Sequence, residues 1–148
     1  MNKLRIPSGL LLGLAGLVIF ASLFSNIDLM VDLPTYFKPE YYNQFSPLIL
    51  CALLINAGVF IILKHKRTNF SLAMFGYTAL EELLFRAIGL SQNLWPTWLI
   101  ISFLLLGGIC VFLAHRNPYK LKALSIRDLI VSLAFGFFES FILPNYIL

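Results

Sequence analysis

The sequence has few charged residues for its length, and this scarcity excludes most soluble proteins. Eleven Lys and Arg and seven Asp and Glu make up 12% of 148 residues, whereas about a quarter of a soluble globular chain is charged. Hydrophobic residues make up 59%, and the mean hydropathy is +0.86. No Pro-rich or Ser/Gly-rich linker suggests a second domain. We therefore predict an all-α integral membrane protein with a single transmembrane domain over residues 1–148.

Cysteine and histidine are also scarce, which excludes several kinds of site. Cys51 and Cys110 lie inside apolar runs, so we interpret them as small core residues rather than as a disulfide or metal ligands. His65 and His115 flank basic stretches, where solvated interfacial side chains are expected. A bis-histidine haem site within the chain is therefore excluded, and the lack of a mid-span lysine excludes a retinal-type Schiff base. We expect no metal ion and no cofactor.

Five apolar segments each approach the roughly 20 residues that a membrane-spanning helix needs. We expect Asp128 to cap the last helix at its start and Pro144 to mark its end. Gly9 and Gly13 have the GxxxG spacing of helix-packing surfaces. The first segment is longer than the roughly 7–15 apolar residues of a signal peptide, so we expect a retained helix. The predicted helices cover residues 6–24, 47–63, 70–90, 97–114 and 129–143.

The positions of Lys and Arg predict the orientation of these helices. With a cytoplasmic N-terminus, five spans place nearly all basic residues on the cytoplasmic side and only Lys38 outside. The net charge of +4 then reflects membrane topology, and we expect no nucleic-acid partner. The aromatic-rich segment 26–46 suits the membrane surface. We predict a multi-pass protein of the plasma membrane or a bacterial inner membrane, in contact with membrane lipid.

Several polar side chains fall within predicted spans, where ionisable groups are costly and usually functional. Glu82 and Arg86 are four residues apart, on one helix face, and near enough to pair. Glu81 points about 100° away from Glu82 and has no cation in its helix. Counting residues from the helix ends places Asn56 and Glu139 at the same depth. We therefore predict a polar set, drawn from three helices, near the membrane midplane.

The acidic pair permits two interpretations. Glu82 and Arg86 could form a buried ion pair that fixes helix register, which is a purely structural role. Glu81 and Glu139 lack a cationic partner within their own helices, and an unpaired carboxyl at the midplane suits a general base or a proton relay.

Residues 81–86, EELLFR, resemble the EExxxR motif of the CAAX-protease and bacteriocin-processing family of glutamic intramembrane proteases. Residues 98–103 and 111–115 are similar to the family's second-motif helix, and residues 133–137 resemble the small-residue helix that follows it. The resemblance covers roughly residues 76–142. The family cleaves near the C-termini of prenylated or other membrane-associated peptides, and some members are non-proteolytic partners.

The resemblance implies roles for four residues. Glu81 would be the base that activates water, and His115 would help to hold that water. Glu82 and Arg86 would complete the polar cluster.

The chain departs from the family pattern at two points. Val111 occupies the aromatic position of the FxxxH motif, and no HxxxN or HxxxD motif follows residues 133–137, where the family has its final motif helix. We therefore predict a non-catalytic or reduced relative that acts as an accessory subunit of a membrane complex. Two alternatives remain open. One is an active endopeptidase that uses Glu81 on a membrane-associated peptide, and the other is a small transporter or lipid-handling bundle.

Overall fold

The computed structural model describes residues 2–90 and 95–147, which are helical or irregular. No strand occurs in these two ranges, so the all-α prediction is confirmed there. The predicted domain also includes residues 1, 91–94 and 148, which lie outside the described residues. The helices are α1 Arg5–Phe24, α2 Pro39–Asn43, α3 Ser46–Ile62, α4 Thr68–Ala87, α5 Thr97–Arg116 and α6 Ile126–Phe137, and a π-helix, Phe138–Ile147, continues α6.

Within the described residues, three helical segments are long and apolar enough to cross a membrane. They are Arg5–Phe24, Glu40–Ile62 and Thr97–Arg116. Helix α4 has the same length as α1, 20 residues, but its polar side chains, including Glu81 and Glu82, lower its hydropathy. The length and composition of these segments indicate a membrane-associated protein.

Glycine contacts bring α1 and α3 together. A Cβ added at Gly58 would lie 2.6 Å from the Gly9 carbonyl oxygen and 2.6 Å from the Gly13 nitrogen. The two backbones therefore touch without intervening side chains, as small residues permit at helix interfaces. The packing role predicted from the glycine spacing is confirmed for Gly9, whereas Gly13 contributes only its backbone atoms and has room for a Cβ.

Helix α4 lies at the centre of the bundle and packs against α3, α5 and α6. Phe75 and Phe103 have no exposed surface, and their rings meet edge to face with centroids 6.2 Å apart. A Cβ added at Gly76 would lie 2.9 Å from the Gly107 carbonyl oxygen and 2.6 Å from Val111 Cγ2. Small residues therefore also set the spacing between α4 and α5.

Side-chain hydrogen bonds gather several helix ends at one end of the bundle. The Arg5 guanidinium donates to the carbonyl oxygens of the last two residues of α3, at 3.1 and 2.7 Å. These carbonyls lack partners within the helix and favour a cation. The Asn69 amide, at the start of α4, donates to Asn117 Oδ1 at 2.8 Å and to the Lys122 carbonyl oxygen at 2.9 Å. We call this region the basic end, after Arg5, Lys64, Lys66, Arg67, Arg116, Lys120, Lys122 and Arg127.

Both ends of the last helix differ from the prediction. Ser125, not Asp128, is the N-cap, because the Asp128 N–H donates to Ser125 Oγ at 3.1 Å. The Ser125 N–H donates in return to Asp128 Oδ2 at 3.1 Å, which completes a capping box. The predicted end at Pro144 is also wrong. The i→i+5 spacing of the π-helix carries the helical backbone on to Ile147.

Gly58→Ala is expected to destabilise the bundle by about 1–3 kcal/mol, because the new methyl group meets backbone atoms of α1 that cannot rotate away. Gly13→Ala is the matched control, since a Cβ there has no atom within 4 Å. Thermal unfolding in detergent micelles measures both variants. Equal melting temperatures for Gly58→Ala and the wild type would contradict the close α1–α3 contact.

Candidate functional site

Glu81 and Glu82 follow each other on α4 and have different surroundings. Consecutive helical residues point about 100° apart, so the two carboxyls cannot face the same neighbour. Glu82 is 0% exposed and faces the interior of the bundle. Glu81 is partly exposed and faces α6. The acidic pair therefore contributes one enclosed carboxyl and one carboxyl at a seam between helices.

The Glu81 carboxyl lies directly on Gly136 of α6. A Cβ added at Gly136 would overlap Glu81 Oε2 and would lie 3.0 Å from both Glu81 Cδ and Thr78 Cα. Only glycine leaves room for this carboxyl at the α4–α6 contact. The sequence similarity noted around residues 133–137 thus falls on the segment that faces Glu81.

Two polar atoms at this contact lack a hydrogen-bond partner among the described residues. They are Glu81 Oε2 and Thr78 Oγ1, and both are buried. Thr78 has no exposed surface, whereas Glu81 retains an exposed portion. An unsatisfied buried oxygen costs about 1–3 kcal/mol, so this seam favours a molecule that donates hydrogen bonds or carries a positive charge.

Glu139 has hydrogen-bond partners from α3 and from its own helix. Ser46 Oγ donates to Glu139 Oε1 at 2.7 Å, and Ser140 Oγ donates to Oε2 at 3.4 Å. The Glu82 carboxyl lies within electrostatic range. Glu139 is 2% exposed and also borders a mainly apolar cavity of about 330 Å³. Glu139 is therefore buried close to Glu82, and both of its carboxyl oxygens accept hydrogen bonds.

Asn56 and Glu139 do not lie at the same depth. The Asn56 amide donates to Ser71 Oγ at 3.0 Å, and Ser71 lies in the first turn of α4. Glu139 bonds to Ser46, the first residue of α3, about 15 Å from Asn56 along that helix at 1.5 Å per residue. The prediction of one shared midplane layer is therefore wrong: Asn56 lies near the middle of α3, and Glu139 lies level with the first residue of that helix. Because α3 and α4 are joined by a tight turn, the last turns of α3 face the first turns of α4.

Arg86 contacts Trp95, which precedes α5. Its Nη2 donates to the Trp95 carbonyl oxygen at 3.3 Å, and its guanidinium carbon lies 5.9 Å from the centre of the Trp95 ring. Arg86 Nη1 is buried and has no hydrogen-bond partner among the described residues. Its pairing with Glu82 stays a prediction.

His115 lies closer to the level of Glu81 than its position near the end of α5 suggests. Cβ atoms tilt toward the N-terminus of a helix, so His115 points back along α5, away from the basic end. Its Nδ1 lies 3.0 Å from the Val111 carbonyl oxygen, and its Nε2 lies 3.3 Å from the Tyr77 hydroxyl. Tyr77 precedes Glu81 by one helical turn, which is about 6 Å along the axis.

Aromatic side chains cover the side of Glu81 opposite Tyr77. The Phe85 ring lies 5.8 Å from the Phe137 ring and 5.7 Å from the Phe141 ring, and Phe137 and Phe141 are 5.3 Å apart. Phe85 is one turn beyond Glu81 on α4. Glu81 therefore lies between a Tyr–His contact and a cluster of three phenylalanines.

Tyr77, Gly136 and Ser46 were missed as site residues by the sequence analysis. The position of Tyr77 could have been predicted, because it precedes Glu81 by four residues and residues four apart on a helix share a face. Gly136 lies within residues 133–137, which resemble the family's small-residue helix, but that resemblance does not show that Gly136 faces Glu81. Ser46 carried no signal, because its contact depends on the level of α3.

No group of three His, Cys, Asp or Glu side chains that could hold a metal ion occurs in residues 2–90 and 95–147. Acid–base chemistry, hydrogen bonding and charge pairing are what this site offers.

Comparison of the chain with protein-family models, with curated proteins and with solved structures gives no match.

Gly136→Ala is expected to displace the Glu81 carboxyl and destabilise the bundle by about 1–3 kcal/mol through overpacking. Gly108→Ala is the control, because a Cβ at that helical glycine has no atom within 4 Å. Adding Glu81→Ala should remove part of the clash, so the double variant should be less destabilised than the sum of the single variants. Strict additivity in thermal unfolding would contradict the contact.

Proposed function

We propose that the chain crosses the cell membrane five times, with α1, α3, α4, α5 and α6 as spans and the N-terminus in the cytoplasm. Three of these segments have the length and hydropathy of spans, and the π-helix Phe138–Ile147 lengthens α6. The gathering of basic residues at one end supports a cytoplasmic basic end under the positive-inside rule. The cell membrane here is the plasma membrane or a bacterial inner membrane.

Within that membrane, the chain acts as an accessory subunit of a complex and resembles a non-catalytic glutamic intramembrane protease. One observation carries this proposal: Glu81 is partly exposed at the α4–α6 seam and receives no hydrogen bond or ion pair from the described residues. A carboxyl in hydrocarbon gains most from a polar or cationic group on another chain. Leu84, one turn further along α4, is 56% exposed and offers apolar contact beside it.

Glu81→Leu is expected to release the partner while leaving the chain folded, because leucine offers no acceptor and suits hydrocarbon. Wild-type protein extracted from its own membrane in mild detergent should elute as a complex, and the variant should elute alone. Size-exclusion chromatography with light scattering, followed by mass spectrometry, measures this. Glu40→Leu is the control, since Glu40 is an exposed carboxylate outside the seam. A wild-type chain that elutes as a lone monomer would overturn the proposal.

An active endopeptidase is the second candidate, supported by the contact between His115 and Tyr77. This contact brings the imidazole within about one helical turn of Glu81. A base and its water-holding partner must reach the same water. Glu81 would take the proton from that water, and His115 would hold the water through a rotated side chain. The substrate would be a prenylated or other membrane-associated peptide, as in the family that residues 81–86 resemble.

For this candidate, Glu81→Gln and His115→Ala should each lower the cleavage rate about 100-fold or more, the usual contribution of acid–base catalysis. Tyr77→Phe should leave the rate largely unchanged, because the imidazole must already release a contact in order to hold the water. Mass spectrometry of a prenylated peptide incubated with the protein in liposomes measures cleavage, with Glu40→Gln as the control. The candidate fails if the wild type does not cleave, or if cleavage persists in Glu81→Gln.

A further inference from the structure

The basic end contains a second polar site, separate from Glu81. A cavity of about 340 Å³ opens between the α3–α4 turn and the α5–α6 loop. Four cationic side chains line it: Lys66 and Arg67 from the α3–α4 turn, Lys122 from the α5–α6 loop, and Arg127 from the first turn of α6. Cations drawn from separate segments repel one another, so their convergence on one cavity favours an anion between them.

Asp128 also lines the cavity, but its carboxylate is already engaged. Its Oδ2 accepts a hydrogen bond from the Ser125 N–H at 3.1 Å, as part of the capping box of α6. Lys122 and Arg127 lie close enough to interact with it electrostatically. The lining still has four cations against one carboxylate, so the cavity retains a positive charge for a ligand.

A neighbouring cavity of about 400 Å³ shares Lys66, Arg67 and Phe70 with the basic cavity. It runs along the α3–α4 contact, and its lining includes Phe60 and Met74. The two cavities together offer a cationic recess that continues into a groove where Phe60, Phe70 and Met74 lie beside the polar side chains of Asn56 and Ser71. This combination suits a ligand with an anionic group and an apolar chain better than it suits free phosphate.

We propose that this site binds an anionic phospholipid of the cytoplasmic leaflet. The phosphate lies in the basic cavity, where Arg67 and Arg127 can donate paired hydrogen bonds to its oxygens and the lysines act as point charges. The glycerol and the first part of one acyl chain lie along the groove beside Phe60 and Met74. Basic recesses between helices on the cytoplasmic side are the sites where acidic headgroups are attracted in membrane proteins.

The test compares two charge-matched double variants. The cavity variant, Lys66→Gln with Lys122→Gln, removes two lysines that line the cavity. The control variant, Lys64→Gln with Lys120→Gln, removes two exposed lysines from the same two connections, and neither of these lines the cavity. Each protein is purified in micelles with equal phosphatidylglycerol and phosphatidylcholine, and native mass spectrometry counts the retained lipids.

The ratio of retained phosphatidylglycerol to phosphatidylcholine is expected to fall about thirtyfold in the cavity variant, because that variant loses two cations that face the headgroup, each contributing about 1 kcal/mol. The control variant should keep the wild-type ratio. If the ratio fell equally in both variants, diffuse surface charge rather than the cavity would retain the lipid, and the proposed site would be overturned. An unchanged ratio in the cavity variant would also overturn it.

A second arm distinguishes a lipid from free phosphate. In lipid-free detergent, phosphatidylglycerol should raise the melting temperature of the wild type, whereas inorganic phosphate at the same concentration should not. An equal rise with both would overturn the lipid assignment. Arg67→Gln with Arg127→Gln repeats the comparison if the lysine variant fails to accumulate.

Discussion

The complete burial of Glu82 is the constraint on which the arrangement of the bundle depends. Burying a carboxyl is costly unless protein groups surround it, and Glu82, with 0% exposure, lies on the helix that three others surround. Gly76, Gly107 and Gly136 allow the neighbouring helices to approach α4 closely. Because α4 must be central to shield Glu82, the next residue around the helix, Glu81, is directed into the seam with α6.

The same helix joins two polar regions with different requirements. Its first turns lie at the basic end, where Arg67 and Phe70 border both cavities. Glu81 lies about 20 Å further along at the rise of an α-helix, within the proposed span. A lipid held at the basic end would fix the level of α4 in the bilayer. That level determines whether Glu81 meets a partner within the membrane or near its surface.

The helices and the small-residue packing surface of α1 could be predicted from the sequence, because long apolar runs and small-residue spacing act locally. The relative depths of Asn56 and Glu139 could not be predicted, because counting residues from helix ends assumes that neighbouring helices begin at equal levels. Asn56 instead bonds near the tight turn, and Glu139 bonds to the first residue of α3. The position of Gly136 opposite Glu81 depends on how α6 is rotated, which no local pattern specifies.

The contacts of His115 bring its ring near the level of Glu81, but they occupy both imidazole nitrogens, and this occupation favours the accessory proposal over hydrolysis. Both imidazole nitrogens are engaged, one with the Val111 carbonyl oxygen and the other with the Tyr77 hydroxyl. To hold a water for Glu81, the ring would have to give up one contact and turn toward a carboxyl one turn away. Binding a donor group from another chain needs no such rearrangement, because the exposed portion of Glu81 already lies at the surface of the seam. The geometry therefore suits recognition as it stands, whereas catalysis requires movement first.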